Sequence, residues 1–410
     1  MGSLERLRVF LRFSNNTDVL VGELVSHKNT IFFKYSRDFL SSGMEISPFK
    51  LPLSEKVYEG PTTPFNGLFG VFNDSLPDGW GRLLMDRKLL QLGMLPQEVG
   101  PLDRLSMIGA VGNGALIYHP VTEHQAADEP EINLEKIEEE TKEVFEGTSE
   151  SVLDKLFDLG GSSGGARPKI NVGYNPTTGQ IVNDKASLPN GFEHWIVKFP
   201  SSNDLSDIAS VEYAYHLMAL DAGLEMSVCS LLEGHSGRKY FATKRFDRNN
   251  GKRIHMHSAA GLLHDNFRRS ALDYGHLMDT AFRLTRDVRQ YEKVLRLCAF
   301  NVFAHNRDDH SNNFSFLMDS NGNWAFSPVY DLTFSTSSHG MHSTTIAGEG
   351  VNPNTDHIKT LASEFGIKNA DEIINRVKSV TSNWEVYAEK AGVHEETCEH
   401  IRKRLGDLPP

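Results

Sequence analysis

Asp308, Asp309 and His310 stand together in HNRDDHSNNFSF, His305 to Phe316, with Asn313 close behind and a lone acid, Asp331, in SPVYDL, Ser327 to Leu332. An Asp, an Asn a few positions on and an Asp at the edge of the next strand are what a magnesium–ATP phosphotransferase needs. One Asp orients and deprotonates the acceptor hydroxyl, while the Asn and the second Asp hold metal against the phosphates. Without chemistry, Asp308 to Asn313 reads as a polar surface loop of Asx turns. Phe314, Phe316, Trp324 and Phe326 flank the turn Asp319-Ser320-Asn321-Gly322. That is a hairpin pattern, and it would bring Asn313 and Asp331 near one another.

Other elements must supply the phosphate side. Leu159 to Lys169, LGGSSGGARPK, carries four glycines and two serines. Such a backbone approaches phosphates closely and offers its N–H groups, with Arg167 and Lys169 adding positive charge. It is also a composition common in flexible connections. Ser162 and Ser163 are candidate phospho-acceptors. Lys169 then opens the apolar run Ile170 to Tyr174. His194 to Pro200, HWIVKFP, reads as a buried strand ending at Lys198, where an ammonium is costly unless paired or reaching a ligand. After capping candidates Asn203, Ser206 and Asp207, a helix is predicted from Ile208 to Ala222. Val211, Tyr215 and Met218 form its apolar stripe, and Glu212 lies near its start. A strand Lys paired to a helix Glu is how protein kinases hold the α- and β-phosphates. Lys239 to Asp247, KYFATKRFD, reads as a strand entering an interlobe connector. Its backbone would face an adenine edge with Phe246 beside it, or Arg245 and Arg248 serve as ordinary ion-pair partners. Asp287 to His305 has Val288, Tyr291, Leu295, Cys298 and Val302 on one face, a core helix delivering the Asp308 loop.

The N-terminal part is β-rich. Leu7–Phe13, Val19–Val25 and Thr30–Tyr35 read as strands, with Pro48–Leu53 a further short one. In FNDSLPDGWGR, Asp78 or Ser75 caps a helix through Arg82 to Leu90. The glycines of MIGAVGNGALIY form a tight turn before a strand, since GxxxxGK[ST] is absent. This unit carries no catalytic constellation and reads as a scaffold or docking surface. His119 to Gly147 is an acidic linker running into an exposed helix from Leu134 to Phe145. His255 and His257 lack further ligands at metal-binding spacing.

The 410-residue chain is 39% hydrophobic and 23% charged, with a net charge of −12. That length allows two or three domains. The charge argues against nucleic-acid binding by the whole surface. Three scattered cysteines, Cys229, Cys298 and Cys398, form no disulfide framework, which fits a reducing cytoplasm. MGSLERLRVFLRF lacks the long apolar region of a signal peptide, and no apolar run approaches membrane-spanning length.

In this order, FNDSLPDGWGR, the glycine-rich loop with ARPK, HWIVKFP, KRFDR, RDDHSNNFSF and VYDL resemble the HipA family of bacterial toxin kinases over most of the chain. The resemblance implies an α+β, two-lobed protein-kinase-like fold with an extra N-terminal β-rich subdomain (1–120). An N-lobe with the glycine-rich loop (121–243) and a helical C-terminal lobe (244–410) would follow. Asp308 would be the catalytic base of a D-x-H-x-x-N pattern. His310 and Asn313 would support ATP and metal, and Asp331 would be the magnesium ligand. Gly164, Gly165, Ala166, Arg167 and Lys169 would form the phosphate loop, Lys198 would bind ATP with Glu212 as its partner, and Lys244, Arg245, Phe246 and Tyr330 would line the nucleotide site. Ser162, with Ser163 beside it, matches the inhibitory autophosphorylation serine. The implied cofactors are ATP and Mg2+. The implied partners are a small HipB-like helix-turn-helix antitoxin, operator DNA through it, and a protein substrate such as an aminoacyl-tRNA synthetase. A catalytically silent binding module or corepressor is the alternative, and ATP-dependent phosphorylation separates the two. A metal-dependent phosphohydrolase built on Asp308, Asp309 and His310 would leave Lys198 and the glycine-rich loop unexplained.

Overall fold

Alternating apolar residues at the N-terminus fold into an antiparallel meander of Arg6–Ser14, Thr17–His27 and Thr30–Tyr35. The computed structural model describes all residues except 1–3, 15–16, 29, 122–131, 148–151, 162–163, 185–186, 202–203, 250, 338–339 and 407–410. Leu7, Val9 and Leu11 point inward from the first strand and meet Leu24, Phe33, Phe39, Phe69 and Phe72 in one core. Pro48 to Leu53 is not a strand. Pro48 and Pro52 have no N–H to give a ladder, and the segment is held instead by the Tyr35 hydroxyl on the Leu51 carbonyl at 2.5 Å. The edge strand is the two-residue Tyr58–Glu59.

The predicted helix after Pro77 runs Gly79–Gln91. Asp78 occupies its N-cap position, but its carboxylate makes no cap hydrogen bond. Ser75 is turned away as well, onto the Tyr118 hydroxyl at 2.7 Å. The turn after helix Pro101–Ile108 leads into strand Leu116–His119, which pairs with the first strand. The helix expected over 134–145 runs Leu134–Glu146, but it is not simply exposed: Glu138 and Glu140 are buried along with Leu134, Ile137 and Val144.

The second sheet is antiparallel, in the order Ile181–Asn183, Lys169–Tyr174, Glu193–Lys198, Lys239–Lys244, Cys229–Glu233. Its register places Lys169 opposite Lys198. Directly opposed residues share a face, and like charges there repel. Helix Ile208–Asp221 buries Val211, Tyr215 and Met218 against the C-terminal lobe, while Glu212 is buried towards the second sheet. After Lys244 the chain returns to the first sheet through Arg248–Asn249 and Lys252–Arg253 before entering that lobe.

The C-terminal lobe holds the largest core. Helices Tyr274–Thr285, Arg289–Phe303, Thr355–Glu364, Ala370–Ser382 and Trp384–Ala391 enclose Leu295, Cys298, Phe300 and Trp384. The expected hairpin is present as Ser315–Met318 and Trp324–Phe326, with His255–Ser258 added at its edge. His255 and His257 are fully buried structural groups. His255 Nε2 reaches the Ile46 carbonyl at 2.9 Å, and His257 lies between Asp74 at 2.6 Å and Ser47 at 2.9 Å. Among the described residues no helix is long and apolar enough to cross a membrane.

Candidate active site

Burial of charge is expensive unless the charges are paired, and the second sheet buries several. Lys198 Nζ donates to Glu212 Oε2 at 2.7 Å and to Asp331 Oδ1. The predicted strand-Lys and helix-Glu pair therefore forms, and Asp331 joins it from the far lobe. Glu212 is 3% exposed, and Arg167 holds its other oxygen while also pairing with Asp204 at 3.0 Å. Burial alone would lower the Lys198 pKa, but the carboxylates of Asp331 and then Glu212 outweigh it and hold the ammonium above its usual value. For Asp331 burial acts upward, but Lys198 and then Lys169 drive the carboxyl far below its ordinary range. Among the described residues Lys169 makes no ion pair of this kind. Burial lowers its pKa, opposed chiefly by the Asp331 charge.

Helix Arg289–Phe303 ends at the loop that carries the acid pair. Neighbouring acids there have opposite surroundings. Asp309 is 1% exposed and fully engaged. It accepts from the Tyr274 hydroxyl at 3.0 Å, His342 Nδ1 at 2.9 Å and the Ser343 amide at 2.8 Å. Asp308 faces outward with its side chain 59% exposed, and His310 Nε2 lies 3.9 Å from its carboxylate. Its pKa is raised, first by the desolvating walls around it and then, against the pull of His310, by the charges of Asp331 and Asp309. Asn313 Nδ2 donates to the Asp308 carbonyl at 2.7 Å, which fixes the loop and leaves the amide oxygen turned the other way. Asn313 and Asp331 line one small cavity together with Asp309 and Tyr330, as the hairpin reading required. The loop is laced to the segment after Asp331: the Ser335 amide donates to the His305 carbonyl at 3.0 Å and the Arg307 amide to the Ser335 carbonyl at 3.1 Å. His305 and Asp331 both take left-handed backbone, φ 52° and 58°. Such outliers in non-glycine residues cluster at functional sites.

Connector residues divide in two. Phe246 packs against Tyr330 with ring centroids 5.5 Å apart, and the Tyr330 hydroxyl donates to the Asn312 carbonyl at 2.6 Å. Lys244 pairs with Glu193 at 2.6 Å. Arg245 turns away, into a buried cluster with Asp247 and Arg248. Its side chain is therefore an ion-pair partner of the scaffold, the other reading the sequence allowed.

Gly165 lies so close to Lys169 that a Cβ on it would come 2.5 Å from Lys169 Nζ, while Gly164 lies against the Asp78 carboxylate and Ala166 against Gly79. Ser162 and Ser163 fall outside the described residues. What sequence reading missed is Asp78. Its carboxylate reaches out of the N-terminal unit to accept the Gly165 N–H, and lies 3.4 Å from the Asn312 amide. The two segments are 87 positions apart, and no spacing rule connects them. The only local hint was an N-cap acid followed by glycine.

These groups suit a magnesium nucleotide. Asn313 and Asp331 supply hard oxygens of the kind magnesium takes one or two of. The buried Lys169 ammonium, placed opposite a second lysine under a glycine loop, suits a polyphosphate. His310 Nδ1 is buried with no hydrogen-bond partner among the described residues. No group of three metal-ligating side chains occurs among the described residues, so a metal here would depend on phosphate and water oxygens for the rest of its shell.

Residues 161–384 match the HipA-like C-terminal domain, and residues 15–119 match the HipA N-terminal domain. No curated protein matches the sequence. Among solved structures, the fold is similar to that in a complex of HipA, HipB and operator DNA from the Shewanella oneidensis MR-1 toxin–antitoxin system. The TM-score is 0.70 at 18% identity, over 97% of this chain and 95% of that one. The proinflammatory kinase CtkA of Helicobacter pylori matches at TM-score 0.35 and 13% identity, over 54% of this chain and 93% of that one.

Proposed function

The chain belongs to the HipA family, and from that premise we propose that it is an ATP-dependent serine/threonine protein kinase, the toxin of a HipA/HipB-like pair. The observation that carries this reading is the junction of Lys198, Glu212 and Asp331 across the two lobes, with Asp308 exposed at its edge. Magnesium–ATP, when bound, supplies the phosphoryl group and the cation that neutralises it. Lys198 and Lys169 attract the phosphates, and Glu212 with Arg167 keeps Lys198 aimed. Asp308 is the solvent-facing carboxylate free to take a proton from a Ser or Thr hydroxyl. Asp309, saturated by Tyr274, His342 and Ser343, holds the loop. Phe246 and Tyr330 form the apolar wall for a base.

Ser162 or Ser163 is an autophosphorylation site, whose phosphate would add roughly −1.5 to −2 charges beside the loop meant for ATP and so inhibit the enzyme. A small HipB-like antitoxin is the DNA-contacting partner. The net charge of −12 fits a chain that reaches operator DNA through another protein rather than by its own surface. The substrate is a translation component such as an aminoacyl-tRNA synthetase, and the setting is the cytoplasm. Mass spectrometry of the protein incubated with Mg-ATP, wild type beside Asp308→Ala, tests the activity. Phosphate on Ser162 or Ser163 in wild type alone is expected. Failure to bind ATP would overturn the kinase reading in favour of a silent corepressor.

A further inference from the structure

Asp78, Gly79 and Trp80 of the N-terminal unit enclose a single glycine of the loop, Gly165. The Asp78 carboxylate accepts its N–H, and the Trp80 N–H donates to its carbonyl at 3.0 Å. Gly79, at φ 45°, touches the loop so closely that a Cβ there would overlap the Gly165 carbonyl and come 2.8 Å from the Ala166 Cα. Both peptide groups flanking Gly165 are thus pinned to the first turn of helix Gly79–Gln91. That helix is anchored in turn, with Trp80, Leu84, Met85 and Leu89 buried against Leu156 and Leu159. Asp78 is the N-cap residue yet gives its own helix no side-chain bond. An N-cap acid ordinarily accepts from the N2 or N3 amide. Here the carboxylate goes to the loop, and the amide at N2, that of Trp80, finds its acceptor on the loop as well. The other carboxylate oxygen lies 3.4 Å from the amide of Asn312, beside the Asp308 loop.

We propose that Asp78 is a positioning residue that holds the glycine-rich loop folded over Lys169 before any nucleotide arrives, so that the N-terminal unit sets the affinity for a nucleoside triphosphate. The proposal rests on the kinase reading above for its ligand, but the clamp itself does not.

The test uses the full chain as wild type, Asp78→Ala and Asp78→Asn. A fluorescent ATP analogue with magnesium reads affinity, steady-state phosphorylation reads KM and kcat, and hydrogen exchange without nucleotide reads the Gly165 amide. Asp78→Ala should weaken nucleotide binding and raise KM for ATP by about 10- to 100-fold, the range for losing a hydrogen bond to a charged acceptor. kcat should change little, and Gly165 should exchange faster. Asp78→Asn keeps an acceptor oxygen and should recover most of the affinity. Tighter or unchanged binding in Asp78→Ala, an Asn variant as impaired as Ala, or unaltered Gly165 exchange each overturns the proposal. If wild type binds no ATP, the kinase reading falls and the exchange data alone decide the clamp. Should Asp78→Ala not fold, Asp78→Ser supplies a cap hydroxyl that the native helix does without while falling short of Gly165, and its exchange reads the same contact.

Discussion

Two clusters of buried charge, alike in composition, do opposite things. In the first, Arg245 and Arg248 enclose Asp247, whose side chain is 6% exposed. Every direction is closed: Arg248 reaches the Gly112 and Gly114 carbonyls at 2.8 and 2.9 Å, and the Gly114 amide donates to Asp247 at 2.8 Å. In the second, Lys198 and Arg167 meet Glu212 and Asp331, but Asp331 stays 35% exposed, and Lys169 stands opposite Lys198 with burial lowering its pKa. The closed cluster fastens the connector to the N-terminal unit. The open one gathers Lys198, Lys169 and Arg167 around a carboxylate that solvent still reaches, the access an incoming phosphate needs.

Substitutions at the two clusters should therefore fail in different assays. The largest effect belongs to Asp308→Ala or Asp331→Ala. Phosphoryl transfer should fall by at least 10²- to 10⁴-fold, the range for removing a general base. For the exposed Asp308, unfolding free energy should move by less than about 0.5 kcal/mol. Near-native transfer in either variant would dissolve the distinction. Asp247→Ala should do the reverse. It leaves two buried guanidinium groups facing each other and should cost about 3–5 kcal/mol in denaturant unfolding, with activity per folded molecule retained. Lys198→Ala comes next: nucleotide titration should show affinity lower by about 10- to 100-fold.

pH sharpens the contrast. Asp247 is held far below the ordinary aspartate value, burial opposing but Arg245 and Arg248 prevailing. Its contribution to stability is complete above the unfolded value of about 3.9 and is lost as pH falls towards the folded one, because the unfolded chain then binds the extra proton. Asp247→Asn should flatten that acid limb in a melting series. Asp308 is shifted the other way, so the activity of a base at this position should be lost on acidification at a higher pH than for an ordinary aspartate, while Asp331 remains ionised. The smallest effect is expected for Tyr330→Ala. It removes the partner of Phe246 and should raise KM for ATP by roughly 3- to 10-fold, the worth of one aromatic contact of about 0.5–1.5 kcal/mol, without altering the pH profile.

Much of this was legible in the chain. Period-two and helical apolar patterns placed Thr30–Tyr35, Leu134–Glu146, Ile208–Asp221 and Arg289–Phe303 within a few residues. The order of glycine loop, strand lysine, helix glutamate and acid loop predicted a junction that the fold assembles. Pro48–Leu53 misled because its apolar residues alternate while its prolines cannot pair. Asp78 misled because an acid before a helix ordinarily caps it.

Residue type and spacing by themselves determined the local elements and the kinds of group available, because backbone preference and side-chain chemistry act within a few positions. The rest was decided only by tertiary structure. Asp308 and Asp309 are chemically identical neighbours, yet one is saturated by Tyr274, His342 and Ser343 and the other faces solvent. Arg245 closes a scaffold cluster while Arg167 lines the site. Asp78 leaves its own helix for a glycine 87 positions away. Solvation and partners fix what a charged side chain can do, and both are set by segments brought together only when the chain folds.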